Sequence, residues 1–147
     1  EEVLTVRKLL QQAAAELEQE GVPFSRDYEF GVMIETPSAA MISDLLAPHV
    51  DFFSIGTNDL VQFTVAADRE NPHVAALCDP QHPAVRRLIE IAVKNGVRSG
   101  IRVAVCGEAA ADPAMTRFLL SIGVRELSVA PASLLEIRHT IQSLRLS

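Results

Sequence analysis

Three short polar clusters in this chain carry residue types that could do chemistry, and each follows an apolar run. They are Glu35-Thr36-Pro37, Gly56-Thr57-Asn58-Asp59 and Cys106-Gly107-Glu108. Glu35 and Asp59 are carboxylates, and a hard divalent cation such as Mg²⁺ takes one or two of these and completes its shell with water and substrate oxygens. Each could equally be a solvated loop acid. Asn58 offers amide donors to a phosphate or carboxylate oxygen, although Asn in a turn also serves backbone needs. Arg69, ten residues beyond Asp59, could return over the site with a planar fork for phosphate or could pair with a nearby acid on the surface. Cys106 could be nucleophile, proton donor or buried filler, and Gly107 leaves a ligand room to approach. Ser54 lacks a histidine–acid pair in pattern, and the four histidines (49, 73, 82 and 139) show no metal-binding spacing.

The elements that must position these clusters follow from hydrophobic spacing. Val3, Val6, Leu9, Leu10, Ala13 and Leu17 predict a first helix, stopped by Gly21 and Pro23. A buried strand over 30–34 is followed by a helix opened by Pro37, with Ala40, Ile42, Leu45 and Leu46 on its inner face. The run 51–56 is a second strand, and a short helical turn is expected over 60–66. A proline-stiffened loop over 68–82 leads to a helix carrying Val85, Leu88, Ile89, Ala92 and Val93. Ile101, Val103 and Val105 make a third strand, and Asp112-Pro113 reads as a cap followed by a first helical position. Leu127–Val129 is a fourth strand, and Pro131 opens a last helix carrying Leu134, Leu135, Ile137, Ile141 and Leu144.

A helix followed by four strand–helix units implies an α/β fold with parallel strands and right-handed crossovers. All strand tips then face one side, which brings the three clusters together. Function spread over three consecutive tips, with no glycine-rich dinucleotide or phosphate-loop fingerprint, favours a barrel over a doubly wound sheet. A (β/α)8 barrel needs eight strands and typically about 250 residues. The expectation is therefore the C-terminal half of a TIM barrel, with residues 1–147 a single partial domain and the earlier strands supplied upstream.

Composition narrows the partners. The chain has 147 residues, is 48% hydrophobic and 22% charged, and carries a net charge of −6. That argues against nucleic acid or an anionic membrane as a bulk partner. No apolar run approaches the roughly 20 residues that span a bilayer. Two cysteines make neither a disulfide framework nor a zinc site, so a cytoplasmic location is expected.

The motif DFFSIGTNDLVQFTVAADR (51–69) resembles the signature of the phosphoenolpyruvate-utilising enzymes. GVMIETPSA (31–39) and VCGEAAADPA (105–114) resemble two further blocks of that family, in the same order. Within the family the forms look most like enzyme I of the sugar phosphotransferase system. The resemblance implies a TIM barrel that binds phosphoenolpyruvate and Mg²⁺ and forms a homodimer. It implies Glu35 and Asp59 as metal ligands, Asn58 and Arg69 as contacts to the substrate phosphate, and Gly107 as the small neighbour of the substrate. Cys106 would be the acid that protonates the enolate as pyruvate forms. It also implies transfer, through a histidine on an N-terminal domain absent from this sequence, to the phosphocarrier protein HPr. Ala111 departs from the glycine expected in the third block and points to a different path for the loop after Cys106. The chain alone is expected to be inactive. A dikinase or synthase of the same family, and a non-catalytic half-barrel used for dimerisation or regulation, remain as alternatives.

Overall fold

In the computed structural model the described residues are 1–144, so the last three residues of the expected domain lie outside them. A long helix α1 (Glu2–Gln19) precedes strand β1 (Gly31–Ile34). Helices α2 (Pro37–Met41) and α3 (Ser43–Leu46) lead to β2 (Phe52–Gly56). Then come α4 (Thr57–Val65), α5 (Pro83–Arg98) and β3 (Arg102–Cys106). Helix α6 (Pro113–Ser121), β4 (Glu126–Leu127) and α7 (Leu134–Ser143) complete the order. The strands form one parallel sheet in the order β1-β2-β3-β4.

Strand order equal to chain order, with helices between successive strands, is the winding of a (β/α) barrel, and four strands are half of one. The two sheet faces differ in the same sense. Ile34, Phe53, Ile55, Val103 and Val105 point to one face and are buried beneath the helices. The residues alternating with them (Met33, Ser54, Ala104 and Cys106) are only partly covered, and Met33 is 50% exposed. A doubly wound sheet would cover both faces with helices; this one covers one.

Helix α5 supplies the centre of the helical layer. Val85, Ile89, Ala92, Val93 and Gly96 make one buried stripe at 3–4-residue spacing. Gly96 has a steric reason: a Cβ there would come 2.5 Å from Val103 Cγ2, so the helix sits against β3 only because that atom is missing. Lys94, 2.6 Å from Glu90 one turn earlier on the exposed side, holds that carboxyl below its ordinary range.

The helix between β1 and β2 departs from the expected single amphipathic unit. Thr36 caps it, accepting from Ala39 N at 3.2 Å, but the run breaks at Ile42 into α2 and α3. The inner face is made by Ala40, Ser43 and Ala47, while Ile42 and Leu45 are 46% and 64% exposed. Ser43 tolerates full burial because its hydroxyl donates to Ala40 O and accepts from Asn95 Nδ2. In α7, likewise, only Ile137 of the apolar set is buried and Leu134, Leu135 and Ile141 are exposed. The fourth strand is shorter than expected and one residue earlier. Among the described residues no helix is long and apolar enough to cross a membrane.

Candidate functional site

Strand β2 passes directly into α4, so Thr57, Asn58 and Asp59 form the first turn of a helix rather than a loop before one. The helix starts three residues earlier than its apolar spacing suggests. Asp59, in that first turn, lies where a carboxylate complements the positive end of the helix dipole. Thr57 is buried, and its hydroxyl donates to the carbonyl of Cys106 at 2.7 Å. Asn58 accepts from the amide of Glu108 at 2.8 Å, which turns its Oδ1 inward and leaves Nδ2 as the donor for a ligand. Two consecutive side chains of α4 thus clasp the backbone on either side of Gly107.

Gly107 has φ +85° and ψ −171°, a conformation essentially restricted to glycine. A Cβ there would come 2.5 Å from Thr57 Oγ1 and 2.7 Å from Asn58 Oδ1. The glycine makes room for these two side chains, a requirement that its sequence context did not reveal. Ala111 ends a short 3-10 turn (Glu108–Ala111) and is not among the residues with positive φ, so the backbone there needs no glycine. Asp112 then caps α6, its Oδ1 accepting from Ala114 N at 2.8 Å.

Arg69 reaches the site because α4 stops abruptly. Ala66 takes the left-handed conformation (φ 53°) and turns the chain back along the helix. The Arg69 amide donates to Gln62 Oε1 at 3.2 Å, and its guanidinium Nη1 meets Asp59 Oδ1 at 3.0 Å. Arg69 therefore pairs with a nearby acid, and that acid is Asp59 of the candidate set. The two side chains are 40% and 39% exposed, so the pair contributes about 0–1 kcal/mol at most and is no structural keystone.

Cys106, half-buried, is the last residue of β3 and lies opposite Gly56 in register. Its Sγ is 3.6 Å from Ser54 Oγ and 3.5 Å from the carbonyl oxygen of Ile55. Glu35 follows β1 on the other flank of Gly56, with its Cβ 3.1 Å from where a Cβ on that glycine would stand. A side chain at 56 would also press on Met33, whose Sδ would be 3.0 Å from the added Cβ.

Glu35, Asp59 and Cys106 do not line the cavity of about 340 Å³ beside α4; of the expected residues only Asn58 and Arg69 do, with Thr57, Cys78, Pro80 and Glu108 among their companions. Cys78 has a structural partner there, donating to Ala67 O at 3.3 Å. Among the described residues no group of three or more His, Cys, Asp or Glu side chains could hold a metal ion. Two carboxylates with an open shell fit a hard cation that takes water and substrate oxygens, not a closed protein cage.

Sequence reasoning considered Ser54 only as a nucleophile and gave Thr57, Gln62 and Glu108 no role of their own. Ser54 could have been found from parity, since it stands two residues before Gly56 on the same sheet face. The hydrogen bonds of Thr57 and Glu108 join positions about 50 residues apart and leave no local pattern.

A family model described as the PEP-binding domain of PEP-utilising enzymes matches residues 1–146. The phosphoenolpyruvate-protein phosphotransferase of Priestia megaterium is 44% identical over 144 residues, covering 98% of this chain and 25% of that protein. The protein of the same name from Cupriavidus necator is 45% identical over 133 residues, covering 90% of the chain and 23% of its own length. That from Haloferax volcanii is 43% identical over 141 residues, with 96% and 25% covered. The chain thus spans about a quarter of the length of the curated relatives it matches.

Proposed function

This chain belongs to the phosphoenolpyruvate-utilising enzymes, within their phosphoenolpyruvate-binding domain, and from that premise we propose that it supplies one half of the site where phosphoenolpyruvate gives up its phosphoryl group. The observation that carries the reading is the clasp of α4 on the 106–108 loop. Thr57 and Asn58 tie the tip of β2 to the tip of β3, which supports a reading in which the Asn58 amide and the Cys106 thiol serve one substrate. The names of the relatives favour the phosphotransferase over the dikinase and synthase branches of the family.

In this reading Asn58 Nδ2 and the Arg69 guanidinium bind the phosphate, the latter through a fork that suits its oxygens. The bond between phosphorus and the bridging oxygen breaks, and the electron pair stays on the enolate oxygen. The phosphoryl group passes to a histidine outside this chain and on to HPr. Bound at Glu35 and Asp59, Mg²⁺ would offset the negative charge on the phosphate and enolate oxygens. Cys106 then gives its thiol proton to C3 of the enolate, which becomes the methyl group of pyruvate. Arg69 has a second task, because its pairing with Asp59 holds the guanidinium beside the site before substrate arrives. The remaining barrel strands, further phosphate contacts and the acceptor histidine lie outside these residues in this reading, so the chain alone is inactive. Cytoplasmic location and a homodimer complete the proposal.

The test is calorimetric titration of phosphoenolpyruvate with Mg²⁺ into a full-length protein carrying this chain. Asn58→Ala and Arg69→Ala are each expected to weaken binding at least tenfold, the loss of one charge-assisted contact of about 1.5–3 kcal/mol. Unchanged affinity in both variants would overturn the assignment.

A further inference from the structure

Arg69 needs a firmer hold on its place than its ion pair provides. The pair with Asp59 is substantially exposed and therefore weak, and an arginine side chain has many rotamers to lose. The loop behind it adds no tie to the site. Asp68 Oδ1 accepts from the Glu70 amide and Asn71 Oδ1 from the His73 amide, turns that close on themselves.

The anchor is Gln62 of α4. Its carbonyl oxygen accepts from the amides of Ala66 and Ala67, the latter at 3.3 Å, and its side-chain Oε1 accepts from the Arg69 amide at 3.2 Å. One residue thus takes three amides of the segment in which the chain reverses. That reversal passes through Ala66 at φ 53°, a left-handed conformation that alanine adopts only against strain. Gln62 and Asp59 stand three residues apart and share one face of the helix. The backbone of Arg69 is pinned at the first, and its guanidinium at the second, one turn nearer the tip of β2. Gln62 is not among the residues lining the cavity that Asn58 and Arg69 line.

We propose that Gln62 is a positioning residue for Arg69, fixing the backbone of its loop so that the guanidinium is delivered to the substrate phosphate. The inference rests on the reading of Arg69 as a phosphate ligand. An arginine already held at its backbone loses less freedom when the phosphate arrives, and that saving appears as affinity. The neutrality of the side chain matters as well. An amide oxygen accepts from the backbone without competing for the guanidinium, whereas a carboxylate at 62 would draw it away from Asp59.

The test is a double-mutant cycle in the full-length protein carrying this chain, read by calorimetric titration of phosphoenolpyruvate with Mg²⁺. Gln62→Met keeps the side-chain length, the helix-forming tendency and the backbone acceptor at 62, and replaces only the amide. It is expected to weaken binding about three- to tenfold, the worth of one neutral hydrogen bond. In an Arg69→Ala background the same substitution is expected to change affinity by less than about twofold. Hydrogen exchange over residues 66–70, measured without substrate, is expected to speed up about three- to tenfold in Gln62→Met. Parental affinity in Gln62→Met, an equal loss in both backgrounds, or unchanged exchange would overturn the proposal. Arg69→Ala alone separates the two layers. Parental affinity there sinks the phosphate reading of Arg69 and the role of Gln62 with it. Affinity lost there, beside parental affinity in Gln62→Met, sinks Gln62 alone.

Discussion

Replacing Gly107 by alanine tests the clasp between α4 and the 106–108 loop at its tightest point. Two costs add. The backbone at φ +85° and ψ −171° is strained for any L side chain, by about 1–3 kcal/mol. The new methyl would also stand 2.5 Å from Thr57 Oγ1 and 2.7 Å from Asn58 Oδ1, so both side chains must shift. Each departure breaks a hydrogen bond, to Cys106 O or from Glu108 N, worth about 0.5–1.5 kcal/mol. The sum is about 2–6 kcal/mol if the native loop is kept. Gly100 supplies the control, because it too has positive φ (+74°) but nothing within 4 Å of an added Cβ. Gly100→Ala is expected to cost only about 1 kcal/mol, the left-handed penalty less the entropy the unfolded chain loses. Urea unfolding of both variants measures the difference, and hydrogen exchange at the Glu108 amide shows whether the loop has opened locally instead. Gly107→Ala within about 1 kcal/mol of Gly100→Ala, with Glu108 still protected, would refute the reasoning.

Two further substitutions separate scaffold from site. Arg69→Ala is expected to shift unfolding free energy by less than about 1 kcal/mol, because its ion pair with Asp59 is substantially exposed, and a larger loss in urea unfolding would mean the pair is structural. Phe53→Ala, in contrast, removes the largest fully buried side chain from beneath the helices and should cost about 3–5 kcal/mol in the same measurement.

The strands and their order were legible because continuous apolar runs ending in Gly, Pro and acid clusters carry their own punctuation. Asp112-Pro113 announced a cap and a first helical position for the same reason, and both are found there. The start of α4 was hidden, since Thr, Asn and Asp are poor in helix interiors and read as a turn, yet serve well in a first turn. Periodicity marked Ile42, Leu45, Leu134 and Leu135 as apolar but could not say what faces them, and they are exposed. Of the candidate residues, Glu35, Asn58, Asp59 and Cys106 could be picked out as polar residues at strand ends. The role of Gly107 could not, because it depends on two side chains from a different unit of the fold.

The most direct test of the central claim is the fate of C3 when a full-length protein carrying this chain turns over phosphoenolpyruvate in deuterated water with Cys106→Ala. The account predicts that phosphoenolpyruvate binding is retained while pyruvate formation and deuterium entry at its methyl group fall by about 10²–10⁴, the usual worth of a positioned acid. Pyruvate formed and labelled at the parent's rate would contradict it.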